Sequence, residues 1–488
     1  MKHRTAIWLF TAICLFIGIE NGKANNISVS NPVLCNQNKG AKYTFVKFDL
    51  SWDNSWRTDV NWDAAWVFVK FKPDGSNAWQ HASLSTNNSV HIVPGGDLEV
   101  GLTGTNGVGV FIYRDSTGTG NVSYAKTQLR WNYGADGYEF QTGDKINISV
   151  QAIEMVYIPE GPFYLGSGGD ETAHFYKYPT TTDTYPVNSE DAITVGITDG
   201  NLYYEPGGYA GDGVGPISNA FPKGYDAFYC MKYEISQGQY TEFLNKLDGT
   251  QDGTRYPDYY NSARYTITAP TTNHVAVVPD RACNQLNWAD VSAYADWAAL
   301  RLMTELEFEK ACRGPETPVA NEYAWGTNTI MADQSRTLSG AENGTETVIN
   351  PSTAAGGANY GNKAHISSDA GKGPLRCGIF ATNNCSRVAA GAGYYGVMEL
   401  SGNVYERCVM VGDTDGRKFM GTHGDGVLDV GGNATGNTDW PDSNYGAGCR
   451  GGGWYFPGSL ACVSVRGDGA SRRADCSNNG GRAVRAAP

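Results

Sequence analysis

Hydrophobic and polar residues alternate in several short runs over residues 26–152, and turn-forming residues separate these runs. Alternation with a period of two places every second side chain on the same face of a strand. Clusters of Gly, Asn, Asp and Ser between the runs mark the turns. Many short strands with such turns indicate an all-β antiparallel sandwich domain over 26–152. The predicted strands are Tyr43–Leu50, Ala65–Lys72, Val108–Arg114, Val122–Asn132 and Lys145–Ala152.

The pattern changes near residue 153, where long loops rich in Gly, Asn and Tyr surround a few helices. The spacing of apolar residues predicts helices over Gln237–Leu247, Asn287–Leu300 and Thr304–Cys312. Thr304 and Glu307 have the spacing of a capping box at the start of the third helix. The last third of the chain has so few periodic segments that disulfides, metal ions or side-chain hydrogen bonds must hold it together. The sequence therefore predicts a second, loop-rich α+β domain over 153–488.

Composition and charge argue against one class of binding partner and favour one class of fold. The chain has 488 residues, of which 37 are basic and 50 acidic, and its net charge is −13. An acidic chain with few charged residues is poorly suited to nucleic acid, so we exclude that partner. Glycine contributes 62 residues, which favours turn-rich β structure over a helical bundle. Five tryptophans of the first region indicate either core and edge packing, which we favour, or a carbohydrate platform: Trp52, Trp56, Trp62, Trp66 and Trp79.

The N-terminus has the pattern of an export signal. Basic residues at positions 2–4 precede the apolar stretch Thr5–Ile19, and Gly22-Lys23-Ala24 offers small residues for cleavage. The apolar stretch is shorter than the ~20 residues that span a bilayer, although an uncleaved anchor is the alternative. We predict a signal peptide over 1–24, a secreted or cell-surface location, and a mature chain without a membrane span.

The cysteines favour disulfides. Ten remain after the predicted signal is removed, and an even number in an exported protein is typical of disulfide pairing. None forms a CxxC pair, so the sequence gives little support to a zinc site. Cys377 and Cys385 are close enough to pair locally, and so are Cys449, Cys462 and Cys476, but the connectivity stays open.

Seven motifs follow one another in the second region: Met155–Gly166, Met231–Asn245, Arg301–Glu309, Tyr323–Gly326, Gly396–Glu406, Arg450–Trp454 and Gly481–Arg485. In content and order they resemble the formylglycine-generating, sulfatase-modifying factor superfamily. The resemblance covers about residues 154–486. It implies an elaborated C-type-lectin-like fold for the second domain.

The resemblance also indicates which catalytic residues an oxidase of this superfamily would need. In the oxidase branch of the superfamily, two cysteines separated by four residues follow the Arg-Gly-Gly motif, bind copper and oxidise a substrate cysteine with oxygen. Soft thiolates suit Cu(I). Here only Cys462 falls near the second position, and no cysteine occupies the first. Cys462 is expected instead in a disulfide with Cys449 or Cys476. We assign no catalytic residue and expect no redox cofactor, and a copper-dependent oxidase stays an alternative.

Other enzyme classes have little support. A second branch of the superfamily contains non-haem iron enzymes of the sulfoxide-synthase type, which draw closely spaced His and Glu ligands from an additional helical domain. No G-x-S-x-G elbow of a serine hydrolase is present. The histidines of the mature chain are isolated from one another: His81, His91, His174, His274, His365 and His423.

The turn around Gly402 and Asn403 resembles a structural calcium site of the superfamily. Calcium takes six to eight oxygen ligands, which carboxylates, carbonyls and waters together supply. Matched position by position, the resemblance implies the side chains of Glu399 and Glu406 and the carbonyls of Gly402 and Val404. A second calcium site would use Asn359 and the Tyr360 carbonyl, with Asp369 as a third candidate. The alternative is a solvated acidic pair on an ordinary turn.

A binding branch of the same fold offers a further alternative. Variable proteins of diversity-generating retroelements often end in this domain, and their ligand surface lies between the Arg-Gly-Gly-x-Trp motif and the terminal Gly-Gly-Arg motif. A mixture of aromatic, charged and amide side chains suits recognition. The corresponding surface positions here are Tyr455, Phe456, Asp468, Arg472, Arg473, Asp475, Ser477, Asn478 and Asn479.

Together these observations predict an exported protein with a β-sandwich followed by a lectin-type domain. Its expected role is binding or assembly at the cell surface, without catalysis. The expected partner is a protein or a glycan, and a second copy of the chain is a further candidate. Calcium is the one cofactor that the resemblance implies.

Overall fold

The computed structural model describes residues 26–141, 144–269, 273–332, 337–349, 351, 354–363, 372–382, 385–441, 445–468 and 477–488. Several predictions fall outside these residues: the signal peptide over 1–24, the candidate calcium ligand Asp369, Cys476, and the candidate ligand-binding residues Arg472, Arg473 and Asp475. In the part of the chain that is described, no helix has the length and apolar character needed to cross a bilayer.

Long antiparallel strands form the first region, as the alternation predicts. In β2 the even-numbered residues from Thr44 to Trp52 are buried and their neighbours are partly exposed, which is the period-two pattern of a strand with one face in a core. Three of the five predicted strands lie within observed ones, and the other two extend one residue beyond them, to Asn132 after β7 and to Lys145 before β8. The strands are β1 Ser28–Asn38, β2 Tyr43–Arg57, β3 Asp63–Pro73, β4 Gln80–His81, β5 Gly96–Thr103, β6 Asn106–Arg114, β7 Gly118–Trp131 and β8 Ile146–Ile158.

Two antiparallel sheets enclose the core of this region. One sheet has the order β1-β2-β7, and the other contains β8-β3-β6-β5. Side chains from both sheets meet in one apolar cluster, among them Phe48 of β2, Val67 of β3, Val110 of β6 and Trp131 of β7. This agrees with the predicted β-sandwich.

Shorter strands and loops make up the second region. The strands are β9 Phe163–Leu165, β10 Tyr176–Lys177, β11 Tyr185–Val187, β12 Leu202–Tyr203, β13 Phe228–Met231, β14 Ile267–Thr268, β15 Val275–Ala276, β16 Arg301–Thr304, β17 Leu338–Ser339, β18 Thr347–Val348, β19 Tyr405–Val409, β20 Ala447–Arg450, β21 Asn479–Gly480 and β22 Ala483–Ala486. The α-helices are α1 Gln237–Leu244, α2 Gly249–Arg255, α3 Trp288–Trp297, α4 Glu305–Arg313, α5 Arg387–Ala390 and α6 Thr414–Arg417.

The three predicted helices are present as α1, α3 and α4, and each begins with a capping box. Thr304 accepts a hydrogen bond from the Glu307 amide, and the Glu307 carboxylate accepts one from the Thr304 amide, as the sequence predicted for α4. Ser236 and Asn287 cap α1 and α3 in the same way. Helices α1 and α3 end earlier than predicted, at Leu244 and Trp297.

One sheet joins the two regions. Its strand order is β20-β19-β16-β22-β13-β8-β3-β6-β5, with β21 beside β19 and β4 beside β3. Strand β8 pairs with β3 from Val156 to Ile146, and on its other edge it pairs with β13 from Ile158 to Met155. The domain boundary predicted at 152/153 therefore lies inside β8, and the strand belongs to both regions.

Among the described residues, buried ion pairs hold segments of the second region onto α4. Glu305 accepts hydrogen bonds from Arg466 at 2.5 and 2.9 Å, and Glu309 accepts one from Arg450 at 2.6 Å. These four side chains are buried. The sequence predicted that disulfides, metal ions or side-chain hydrogen bonds hold this region together. Side-chain hydrogen bonds are present in this part of the chain.

The expected disulfides are absent at eight cysteines that the structure describes. Six of them are buried in packed cores, where a thiol behaves as a small apolar side chain. Cys377 points its Sγ at the Glu234 carbonyl at 3.6 Å, so it does not pair with Cys385. The eight free thiols are Cys35, Cys230, Cys283, Cys312, Cys377, Cys385, Cys408 and Cys462.

Candidate functional site

The glycine–asparagine turn before β19 is a junction between several loops. Gly402 has a φ of +94°, and a Cβ there would lie 2.7 Å from the Asn359 carbonyl oxygen, so only glycine fits. The Asn403 amide donates to that same carbonyl at 2.8 Å. The Asn403 side chain accepts from the Leu375 amide at 2.8 Å and donates to Glu234 at 2.5 Å. The turn thus brings the two predicted calcium regions, around Gly402 and Asn359, into contact.

Three buried carboxylates surround this turn, and one arginine lies among them. Glu406 accepts two hydrogen bonds from Arg482, at 2.5 and 2.7 Å. Glu234 accepts from the Val404 amide at 2.9 Å as well as from Asn403. Glu399 accepts from the Gly378 amide at 2.7 Å through Oε1. The two glutamates predicted as ligands are therefore buried, and not a solvated acidic pair.

The electrostatics of this cluster follow from burial. Removal from water raises the pKa of Glu399 to about 7 and raises the pKa of Glu234 well above its usual range. Burial also raises the pKa of Glu406, although the Arg482 guanidinium opposes the shift. Three carboxylates against one guanidinium leave an excess of negative charge when all are ionised, and a bound cation would offset it.

The two predicted carboxylate ligands, Glu399 and Glu406, are not equally available to a calcium ion. The second oxygen of Glu399, Oε2, is buried and has no hydrogen-bond partner among the described residues, so it is available to a metal ion. Both oxygens of Glu406 are bound by Arg482. The described residues contain no group of three or more His, Cys, Asp or Glu side chains arranged to hold a metal ion. Carbonyls and waters would have to complete the shell.

The two residues of the second predicted calcium site also make side-chain contacts near this turn. The Asn359 amide donates to the Gly373 carbonyl at 3.0 Å and to Asn403 Oδ1 at 3.1 Å. The Tyr360 hydroxyl donates to the Met331 carbonyl at 2.7 Å. These contacts hold the loop against the turn. They do not involve the Tyr360 carbonyl, so the second calcium site stays a prediction.

Cys462, the residue nearest to the family's catalytic pair, is a buried thiol. Its Sγ lies 3.4 Å from the Asn321 carbonyl oxygen, and Cys462 is 5% exposed. Burial raises the pKa of this thiol to about 12, which favours its protonated form. The expected disulfide to Cys449 is not formed. Cys462 belongs to a buried apolar cluster that also contains Tyr323 and Trp325.

The predicted ligand surface is only partly at the surface. Tyr455 is 49% exposed and Phe456 is half-buried, as predicted. Asn478 and Asn479 are 3% exposed, because the Asn478 carbonyl accepts from the Tyr405 amide at 2.8 Å and Asn479 pairs with β19. Asp468 is also buried, and its carbonyl oxygen lies close to Gly448 of β20. The prediction of a surface position is wrong for these three residues.

Two residues of the site were missed from the sequence. Glu234 and Arg482 stand inside the motifs Met231–Asn245 and Gly481–Arg485, but the motifs alone assign them no role. A signal was present, since a charged residue close to a buried strand needs a partner when it is itself buried. The identity of that partner depends on contacts between residues far apart in the sequence.

Sequence comparisons with known proteins identify a family. Residues 144–487 match the sequence model of the sulfatase-modifying factor enzyme 1-like domain, FGE-sulfatase. The chain is 30% identical over 117 residues to hercynine oxygenase of Mycobacterium tuberculosis, covering 21% of this chain and 27% of that protein. It is 25% identical over 116 residues to the formylglycine-generating enzyme of Bos taurus, covering 18% of this chain and 31% of that protein. The chain thus spans about a third or less of the length of these curated relatives.

Proposed function

We propose that this chain, which belongs to the FGE-sulfatase family of sulfatase-modifying factor enzyme 1-like domains, is an exported, non-catalytic binding or structural protein of the cell surface. For the second domain we propose the C-type-lectin-like topology that its motifs imply. Strand β8, near the start of the family domain, and strand β22, near its end, both pair with β13. The two ends of the domain therefore lie close together, which supports that topology. Export rests on the N-terminal signal pattern.

The state of Cys462 carries the non-catalytic part of this proposal. A copper-binding dithiol needs two cysteines that can ionise, and the segment from Arg450 to Arg466 contains this cysteine alone. The Cys462 thiol faces the Asn321 carbonyl, and burial raises its pKa to about 12, which supports a packing role for this residue. The most exposed aromatic of the predicted ligand surface, Tyr455, is then the centre of the proposed binding face.

The test is an oxidation assay of the purified protein. Wild type is incubated with copper, oxygen and a sulfatase-type cysteine peptide, and the peptide mass is followed. We expect no oxidised peptide above a copper-only blank. Cys462→Ala is the test variant, and Cys385→Ala is the matched control because it removes a different thiol. Oxidation by wild type and Cys385→Ala that disappears in Cys462→Ala would establish the copper-dependent oxidase instead.

We also propose that calcium binds at the turn before β19, with Glu399 as its carboxylate ligand. The unpartnered Oε2 atom of Glu399 and the surplus of buried carboxylates support this proposal. Calcium would neutralise that surplus and bind only the folded chain. Binding to the folded state alone stabilises by RT ln(1 + [L]/Kd), which is about 2.7 kcal/mol at a 100-fold excess over Kd.

Melting curves in EDTA and in millimolar calcium test the calcium proposal. We expect calcium to raise the Tm of wild type by several degrees and to leave Glu399→Gln unchanged. Glu399→Gln is the informative variant, because Glu406→Ala would break the ion pair with Arg482 whether or not calcium binds. Coincident wild-type curves in the two buffers would show that the cluster is neutralised by protons and Arg482 alone.

A further inference from the structure

A cleft of about 400 Å³ lies where the first region meets the family domain, away from the turn before β19. The first region contributes Lys70 of β3, Gln80 of β4 and Trp79, which precedes β4. The family domain contributes Lys246, Gln251 of α2 and Trp297 of α3. The volume falls in the range of small-molecule sites in proteins, which are concave and combine aromatic surface with a few polar groups.

Hydrogen bonds between the two regions fix the walls of this cleft. The Lys70 amine donates to the Gly426 carbonyl at 2.8 Å, and Thr103 Oγ1 donates to the Gly424 carbonyl at 2.8 Å. The Trp66 indole donates to the Ala298 carbonyl, also at 2.8 Å, just beyond the end of α3. Because both walls are held by buried contacts, the cleft is formed before any ligand arrives, which lowers the ordering cost of binding.

An oriented aromatic ring stands in the cleft. Trp79 is half-buried, and the amines of Lys72 and Lys246 lie 5.4 and 4.9 Å from the centre of its ring. Cation–π contacts of this kind restrict the ring's orientation. Trp52 and Trp66, by contrast, are buried in cores. Trp79 is therefore the member of the tryptophan cluster whose surroundings suit the carbohydrate-platform interpretation.

Unused hydrogen-bonding capacity accompanies the ring. Trp297 is 4% exposed, and its indole N–H has no acceptor among the residues that the structure describes. Lys70 Nζ carries at least two N–H groups in either protonation state, and within the same described residues it donates one hydrogen bond, to Gly426. The exposed amide of Gln80 can both donate and accept. Groups of both kinds around one cavity suit hydroxyl groups, which also donate and accept.

The charges of the cleft favour an uncharged ligand. Lys246 is paired with Glu242 at 3.3 Å, and Asp296 and Asp425 act electrostatically on Lys70. Asp136 and Asp248 also line the cleft. Positive and negative groups thus balance around the cavity, so neither a polyanion nor a metal cation has a matching surface.

We propose that this cleft binds a neutral saccharide, with a sugar ring packed against Trp79 and its hydroxyls toward Trp297, Lys70 and Gln80. The site is separate from the face around Tyr455 and does not depend on the proposed function of that face. Its occupant would be a neutral glycan chain, of which the cleft holds one or two units.

Isothermal titration of the mature chain tests this proposal, using neutral hexasaccharides of glucose, mannose, galactose and xylose in α and β linkage. We expect one of them to bind at a single site. Trp79→Ala should weaken that binding about tenfold or more, because an aromatic platform is removed. Trp79→Phe, which keeps a ring, should retain most of the affinity. The matched control Tyr455→Ala removes an exposed aromatic from the other face and should bind as wild type does.

Each of the other outcomes overturns the saccharide site. Absence of binding for the whole panel at millimolar concentration means that the cleft holds only water. Binding that survives Trp79→Ala, or that is lost in Tyr455→Ala, places the saccharide elsewhere, and the second result would support the proposed face around Tyr455. A Tm of Trp79→Ala equal to that of wild type confirms that the variant is folded.

Discussion

A single guanidinium, that of Arg482, satisfies groups from three separate segments around the turn before β19. It donates to both oxygens of Glu406 and to the carbonyls of Met231 at 2.9 Å and Met398 at 2.7 Å. All these partners are buried, so water cannot replace the arginine when it is lost. The side chain therefore couples the end of β13 to β19 and to the loop before it.

We predict that Arg482→Met lowers the free energy of unfolding by about 3–5 kcal/mol, because it leaves Glu406 as an uncompensated buried charge. Urea denaturation measures the change. Combining Arg482→Met with Glu406→Gln should recover part of the loss, since the second substitution removes that charge. Equal stability of Arg482→Met and wild type would show that Glu406 is protonated in the folded protein and needs no counter-charge.

The carboxylate of Asp296 in α3 makes stability depend on pH. It accepts hydrogen bonds from the amides of Asp425 and Thr435 at 3.0 and 2.7 Å, and burial raises its pKa from 3.8 to about 7. Between these two pH values the folded chain holds a proton that the unfolded chain has released. Stability must therefore fall as the pH rises from about 4 to 7.

We predict that Asp296→Asn flattens this part of the pH profile. The readout is the slope of Tm between pH 4 and 7, because the substitution also costs one hydrogen-bond acceptor and lowers Tm at every pH. Some slope should remain, since burial also raises the pKa of Glu154 to about 7. An unchanged slope in the variant would mean that Asp296 is ionised throughout this range.

Among the secondary-structure elements, α4 shows how a local sequence signal and distant contacts act on the same residues. Thr304 caps the helix and also donates to the Pro222 carbonyl at 3.0 Å. Glu307, its partner in the capping box, is held by Arg301 through two hydrogen bonds at 2.6 and 2.8 Å. Both residues of the capping box are thus buried and hydrogen-bonded to a further group. Water therefore cannot take over these hydrogen bonds as it can at an exposed helix end.

We predict that Thr304→Ala lowers the free energy of unfolding by about 1–2 kcal/mol, at the upper end for a lost N-cap. Thr304→Ser is the matched control, since it keeps the hydroxyl that makes both hydrogen bonds. Urea denaturation of the two variants beside wild type measures the difference. If Thr304→Ala and Thr304→Ser are equally stable, the methyl group and not the cap determines the effect of this position.

The elements that could be predicted from the sequence are those with a local signal. The alternation in Tyr43–Leu50 and the box of Thr304 and Glu307 depend on neighbours in the chain, and both predictions are confirmed. The partner of Glu406 and the burial of Asn479 could not be predicted, because they depend on pairings such as that of β21 with β19. The cysteine count misled for the same reason, since pairing is decided by distances in the fold.

In the whole molecule, β8 and the core around it make the two regions mutually dependent. On one side β8 pairs with β3 from Ile146 to Val156, and on the other it pairs with β13. Phe111 of β6 stacks on Tyr229 of β13 with ring centres 3.7 Å apart, and Trp62 stacks on Tyr157 at 3.9 Å. Side chains of both regions belong to one apolar cluster. Ordinary domains in one chain meet through smaller, more polar interfaces.

We predict that the mature chain unfolds in one cooperative calorimetric transition. A fragment of residues 144–488 should show no sharp melting, because removing β3 exposes the backbone edge of β8 and leaves Tyr229 and Tyr157 without their stacking partners. The mature chain, which lacks only residues 1–24, is the matched control for this fragment. Two separate transitions in the mature chain, or a fragment that melts as sharply as the whole, would show that the family domain is independent and that β8 is completed without the first region.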